Sequence, residues 1–181
     1  LSDETQSVGR VGMPMILATS AVHSHLTRNG LRTFCSLNVR SAECIDPHYF
    51  AVLIGAGATV VNAYLAEDTL ADRIGRGLAD GTLTENVARY REAIDQGLLK
   101  IMAKMGISTL QSYKGAQIFE AIGLRDEVID KCFTHTPSRV QGVDFAVLAE
   151  ETLRRHALGF PIREDFKLDT LPNPGEFHWR A

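Results

Sequence analysis

Between Arg32 and Ala63 two short runs rich in β-branched residues bracket a helix that opens on proline, and this arrangement limits the topology most. Arg32 to Val39 carries Thr, Phe, Cys and Val and is expected as a strand. Asp46-Pro47 follows, an N-cap residue ahead of a proline in the first turn, and the helix continues through Tyr49, Phe50, Val52 and Leu53 to Gly55. Thr59 to Ala63 is the second strand. Strand, helix and strand in succession form a βαβ unit, which requires parallel pairing and a right-handed crossover. A parallel strand covered on both faces reads as a continuous apolar run, so Val60 and Val61 are expected to be buried. Gly55-Ala56-Gly57-Ala58 stands after a helix and before a strand. A dinucleotide-binding turn has the reverse order, so these glycines close a helix.

The rest of the chain reads as helical. Pro14 to Asn29 repeats Ile16, Leu17, Val22 and Leu26 at helical spacing, and Gly30 ends it. Glu67 to Ala79 is amphipathic and is weakened by Gly75 and Gly77. Thr82 to Glu85 is a capping-box pattern. It opens the strongest helix, with Val87, Tyr90, Ile94, Leu98, Ile101 and Met105 three and four apart. Asp126 to Phe133 is a short helix, and Asp144 caps another that runs to about Leu158. The fold class is therefore α/β: a parallel βαβ core with several covering helices, a helix-rich second half and a C-terminal linker. Residues 1–159 form the folded part. Pro161, Pro172 and Pro174 mark 160–181 as a linker toward a following domain. Leu1-Ser2-Asp3 reads as the end of a buried strand that begins earlier, as in a fragment of a longer polypeptide.

Composition removes several classes of function. With 45% hydrophobic and 23% charged residues and a net charge of -3, the 181 residues leave no basic face for nucleic acid. No apolar run approaches the length of a membrane span. The three cysteines fit reduced thiols and a cytoplasmic setting.

The stretch Lys104 to Leu124, KMGISTLQSYKGAQIFEAIGL, is the most distinctive. A helix ends at Met105-Gly106, and a turn rich in hydroxyl and amide groups follows. Ala116 to Ile122 is then expected as a second helix, with Ile118, Phe119 and Ile122 on one face and Gly123 at its end. Lys104, Ser108, Thr109, Gln111, Ser112, Tyr113, Lys114 and Gly115 are the candidate contacts, either for an anion or for a neighbouring domain.

This stretch resembles the central domain of the glutamate synthase large subunit, ahead of its flavin-binding barrel. Ile16 to His23, Leu31 to Val39 and Ala63 to Ala66 resemble further parts of the same family in the same order. Phe133-Thr134-His135-Thr136-Pro137-Ser138-Arg139 resembles the family's FTGTPSR run, with His135 where glycine is usual. The resemblance runs from Leu1 to about Gly159.

The resemblance implies a parent enzyme that converts glutamine, 2-oxoglutarate and a reductant into two glutamates. That parent would use FMN and an iron–sulfur cluster, through glutaminase and FMN-barrel domains of the same chain. The central domain joins those active sites and helps wall the ammonia tunnel. This segment is expected to be structural, with no catalytic residue, no cofactor and no metal of its own. The family's cluster sits on three closely spaced cysteines, whereas Cys35, Cys44 and Cys132 are far apart. Its glutaminase nucleophile is an amino-terminal cysteine, and Leu1 stands here. His23 and His25 lie two apart on a helix and point about 200° from one another, so they cannot share a metal. Arg139 is expected in a surface salt bridge.

The alternative from another class is an independent α/β enzyme or module that binds a phosphate or carboxylate at the Ser112 to Gly115 turn. Against it, no carboxylate pair, nucleophile–base set or metal-ligand spacing appears. A remnant of the synthase kept as a folded module is the third reading.

Overall fold

The computed structural model describes residues 1–161. The linker expected over 160–181 lies outside that range from residue 162 onward. Helix α1 (Met15–Arg28) leads through a 3-10 turn (Arg32–Phe34) into strand β1 (Asn38–Arg40). Helix α2 (Pro47–Gly55) crosses over to β2 (Val60–Asn62), and helices α3 (Tyr64–Gly75) and α4 (Leu83–Lys104) follow. A one-turn helix α5 (Leu110–Tyr113) precedes β3 (Ala121–Leu124), α6 (Asp126–Cys132), β4 (Ser138–Val143) and α7 (Phe145–Gly159). Among the described residues no helix is long and apolar enough to cross a membrane.

The α/β class is borne out. β1 and β2 pair in parallel with Val39 opposite Val61, and α2 connects them. Asp46 caps α2 by accepting from the Tyr49 N–H at 3.0 Å, with Pro47 in the first turn. Thr82 and Glu85 form the reciprocal capping box of α4. The main core gathers Met15, Val39, Phe50, Leu53, Ala58 and Ile94 between α1, the sheet, α2 and α4. Gly97 in mid-helix α4 has a packing reason: a Cβ there would stand 2.6 Å from Pro47 Cβ, so α2 and α4 meet only because it is absent.

Five expectations need correction. The strand expected from Arg32 begins only at Asn38, because Arg32 to Phe34 wind into the 3-10 turn. Val60 is 53% exposed and Val61 half-buried, since β2 pairs with β1 alone and the sheet has two strands. The segment expected as a helix from Ala116 to Ile122 is irregular up to Glu120 and enters β3 at Ala121, and Gly123 sits inside β3 rather than at a helix end. The second half is not wholly helical either. β3 and β4 form a second parallel pair, bridged by α6, with Ile122 opposite Val140. Gly142 lies so close to the Gly123 backbone that no Cβ fits between the strands. Leu1 to Asp3, expected as the end of a buried strand, makes only an isolated parallel bridge from Ser2 to Arg40, with Leu1 exposed and Asp3 buried.

Helix α1 ties the two βαβ units together. The Ser20 and Ser24 hydroxyls donate to the Cys132 carbonyl at 2.5 and 3.1 Å. The Arg28 guanidinium donates to the Asp130 and Lys131 carbonyls at 3.2 and 3.4 Å. These groups satisfy the carbonyls that the end of α6 leaves without helical partners, and the cation complements the helix dipole.

Candidate functional site

A cleft of about 530 Å³ opens between α1, the end of α2, the segment 115–121 and the loop 133–136. Its size lies within the range of small-ligand pockets, and its walls are largely apolar. Phe119 lies over Gly55, where any side chain would collide with its ring. Ile16, Val52, Ile118 and Phe133 complete the apolar lining.

His23 lines the cleft, and Arg32 and Gly57 hold its ring from outside the lining. The Arg32 Nε–H donates to His23 Nδ1 at 3.0 Å, and its other nitrogens donate to the Cys35 and Gly57 carbonyls at 2.7 and 2.9 Å. That bond leaves Nδ1 without a proton and puts the hydrogen of the neutral ring on Nε2. Burial first, and then the Arg32 charge, hold the His23 pKa below its ordinary value. Gly57, at φ +116°, leaves no room for a Cβ beside the imidazole. The turn therefore needs glycine on two counts.

Both lips of the cleft carry unusual backbone. Gln117 and His135 are the non-glycine residues with positive φ among the described residues, at +52° and +67°. Sequence reading offered no warning at Gln117. At His135 the signal was present, because a family that prefers glycine at a position commonly needs a left-handed residue there.

The candidate contacts of the Lys104 to Gly115 turn do not converge on the cleft as a group. Tyr113 turns inward, 2% exposed, and its hydroxyl donates to the Ala51 carbonyl at 3.1 Å. Tyr113 and Gly115 line the cleft from that side. Ser108, Thr109, Gln111 and Ser112 are exposed, as is Lys104 in the last turn of α4, while Lys114 is half-buried. Thr109 caps α5, accepting from the Ser112 N–H at 3.3 Å, and the two hydroxyls lie 2.9 Å apart. Beside this polar ridge stand three exposed apolar side chains: Leu99 at 59%, Met105 at 47% and Leu110 at 42%.

Among the described residues no group of three or more His, Cys, Asp or Glu side chains comes together as a metal site. Cys35 is exposed, whereas Cys44 and Cys132 are buried. Burial, with Asp3 and Glu43 nearby, pushes the Cys44 thiol up to about 12, and burial raises Cys132 as well. Burial makes both thiols poor nucleophiles, and among the described residues the three cysteines do not come together as one donor set, so they do not fit an iron–sulfur cluster. Arg139 pairs with Glu120 at 3.5 Å on the surface, as expected.

Near the carboxyl end of β1 a buried polar cluster has a structural part. Asp3 accepts from the Ser41 hydroxyl at 2.9 Å and from the Ala42 N–H. Glu43 accepts from the Met15 N–H and the Tyr49 hydroxyl. These carboxylates are consumed in holding the loop after β1 and the start of α1.

A family model described as the glutamate synthase central domain matches residues 1–125. The chain is 51% identical over 181 residues to the NADPH glutamate synthase large chain of Azospirillum brasilense, covering 99% of this chain and 12% of that one. The corresponding large chain of Bacillus subtilis is 44% identical over 180 residues, with the same coverage. The NADH glutamate synthase of Saccharomyces cerevisiae is 41% identical, over 99% of this chain and 9% of the yeast protein. The chain thus spans 9–12% of the length of these relatives. On the extent of the family match and on these identities, the chain belongs to the glutamate synthase central-domain family.

Proposed function

We propose that this chain is the later part of the central domain of a glutamate synthase large chain, and that it acts as an interdomain support beside the ammonia route. It contributes no catalytic centre. Glutamine hydrolysis belongs to the glutaminase domain, and reductive glutamate formation to the FMN-barrel domain with its iron–sulfur cluster. Relatives named for NADPH and for NADH share this segment at 41–51% identity, which supports a role indifferent to the electron donor.

One observation carries the reading: the exposed polar ridge of Ser108, Thr109, Gln111 and Ser112 lies beside exposed Leu99, Met105 and Leu110. Interfaces between domains of one chain are of this mixed type, more polar than a core yet with apolar contacts. The same groups make poor chemistry. Thr109 and Ser112 bond to one another, Tyr113 is committed to Ala51, and Lys104 and Lys114 have no acid–base partner in hydrogen-bond reach among the described residues. The test is Lys114→Ala in the intact large chain, read as the coupling between glutamine hydrolysis and glutamate formation.

A further inference from the structure

We propose that the cleft between α1 and the loops 115–121 and 133–136 seats an apolar segment from another domain of the same large chain. The inference rests on the preceding reading and names the contact surface within it.

The walls decide the chemistry of the occupant. Ile16, Val52, Ile118, Phe119 and Phe133 present apolar surface, and burial of such surface supplies about 25 cal/mol per Å². The charged side chains on the walls are already engaged. Arg28 donates to Asp130, Lys131 and Thr134, and Glu120 pairs with Arg139. An amino acid or keto acid would bring a carboxylate, and the one Arg on the walls, Arg28, is already committed to other partners. His23 offers one neutral donor: Nδ1 is occupied by Arg32, and Nε2 has no partner among the described residues. With the Gln117 amide and the Thr136 hydroxyl, which also line the cleft, it gives a mainly apolar trough a few neutral donors, which suit backbone carbonyls on an apolar segment.

Two observations favour a segment of the same chain over a free molecule. In the relatives this stretch is embedded in a chain roughly eight to eleven times longer, so protein is at hand to cover it (99% of this chain against 12% and 9% of theirs). Gln117 and His135, one on each lip, hold left-handed backbone without glycine. Strained residues of this kind persist where surrounding contacts hold them, and an occupant between the lips supplies such contacts.

The test is photo-cross-linking in the intact large chain, with benzoylphenylalanine replacing Ala116, which is exposed and lines the cleft. Thr27 on the opposite wall is the second position, should the first variant fail to accumulate. Mixed isotopically light and heavy chains separate cross-links within a chain from those between copies. Mass spectrometry is expected to find the label on peptides of the same chain outside residues 1–181. Cross-links confined to residues 1–181, including 162–181, would overturn the proposal. So would cross-links to a second copy, or none at either position. Lys114 is not itself among the lining residues, and the cross-link readout identifies the occupant whatever the coupling does, so the two readings can fail separately.

Discussion

The Glu43 carboxylate accepts a hydrogen bond from the Met15 N–H at 2.9 Å, closing the amino end of a helix that begins 28 residues before it. Helix α1 has no acidic residue in its first turn, and Pro14 provides no side-chain cap. The same Glu43 oxygen accepts from the Tyr49 hydroxyl, so one carboxylate joins α1 to α2. Burial, and then this bond to Glu43, raise the Tyr49 pKa and keep the phenol protonated. Glu43→Ala leaves a helix N–H and a half-buried phenol without their partner. It should lower stability by about 2 kcal/mol, the cost of a lost cap plus an unmet polar group. Glu43→Gln, which can still accept, should cost less. Urea midpoints of the two variants measure this, and equal midpoints would mean the carboxylate is not the cap.

His135 gives a prediction of the opposite sign. Its φ of +67° is a conformation that costs a side-chain-bearing residue about 1 kcal/mol relative to glycine. His135→Gly should therefore raise stability by about that amount, less whatever flexibility glycine adds to the unfolded chain. A lower urea midpoint would show that the imidazole makes contacts worth more than the strain.

The tautomer of His23 predicts a pH dependence. In the unfolded chain this histidine titrates near its ordinary 6.5, and in the fold it titrates lower because of burial and Arg32. Between the two values the unfolded state binds more protons, so stability rises with pH there. Stability should accordingly fall as the pH drops below about 6.5, and the loss is complete below the folded value. His23→Gln retains an acceptor for Arg32 and cannot titrate. The melting temperature of His23→Gln should fall less steeply between pH 7 and 5 than that of the parent sequence, and parallel curves would refute the assignment.

What could be read from the sequence was what is encoded locally. Asp46-Pro47 and Thr82 to Glu85 satisfy helix N–H groups within three residues, so their side chains announce the helix starts. The βαβ order needs only sequence succession and the handedness rule. Ile118, Phe119 and Ile122 misled because their spacing fits a helix, whereas long-range contacts decide. Phe119 is drawn over Gly55, and Ile122 pairs with Val140. β4 is exposed along its four middle residues, so it gave no strong apolar signal. The cleft was illegible for a related reason: its walls come from four separate stretches, with no spacing to reveal them. Glu43 was silent too, since its helix partner lies 28 residues away.

The central claim is that the Lys104 to Gly115 turn supports a neighbouring domain rather than performing chemistry. The most direct measurement is Lys114→Ala in the intact large chain, with glutaminase turnover, glutamate formation from free ammonia, and the glutamate formed per glutamine hydrolysed all determined. The account predicts that the ratio falls more than either half-reaction measured alone. Loss of glutaminase activity outright, in a chain that stays folded, would contradict it.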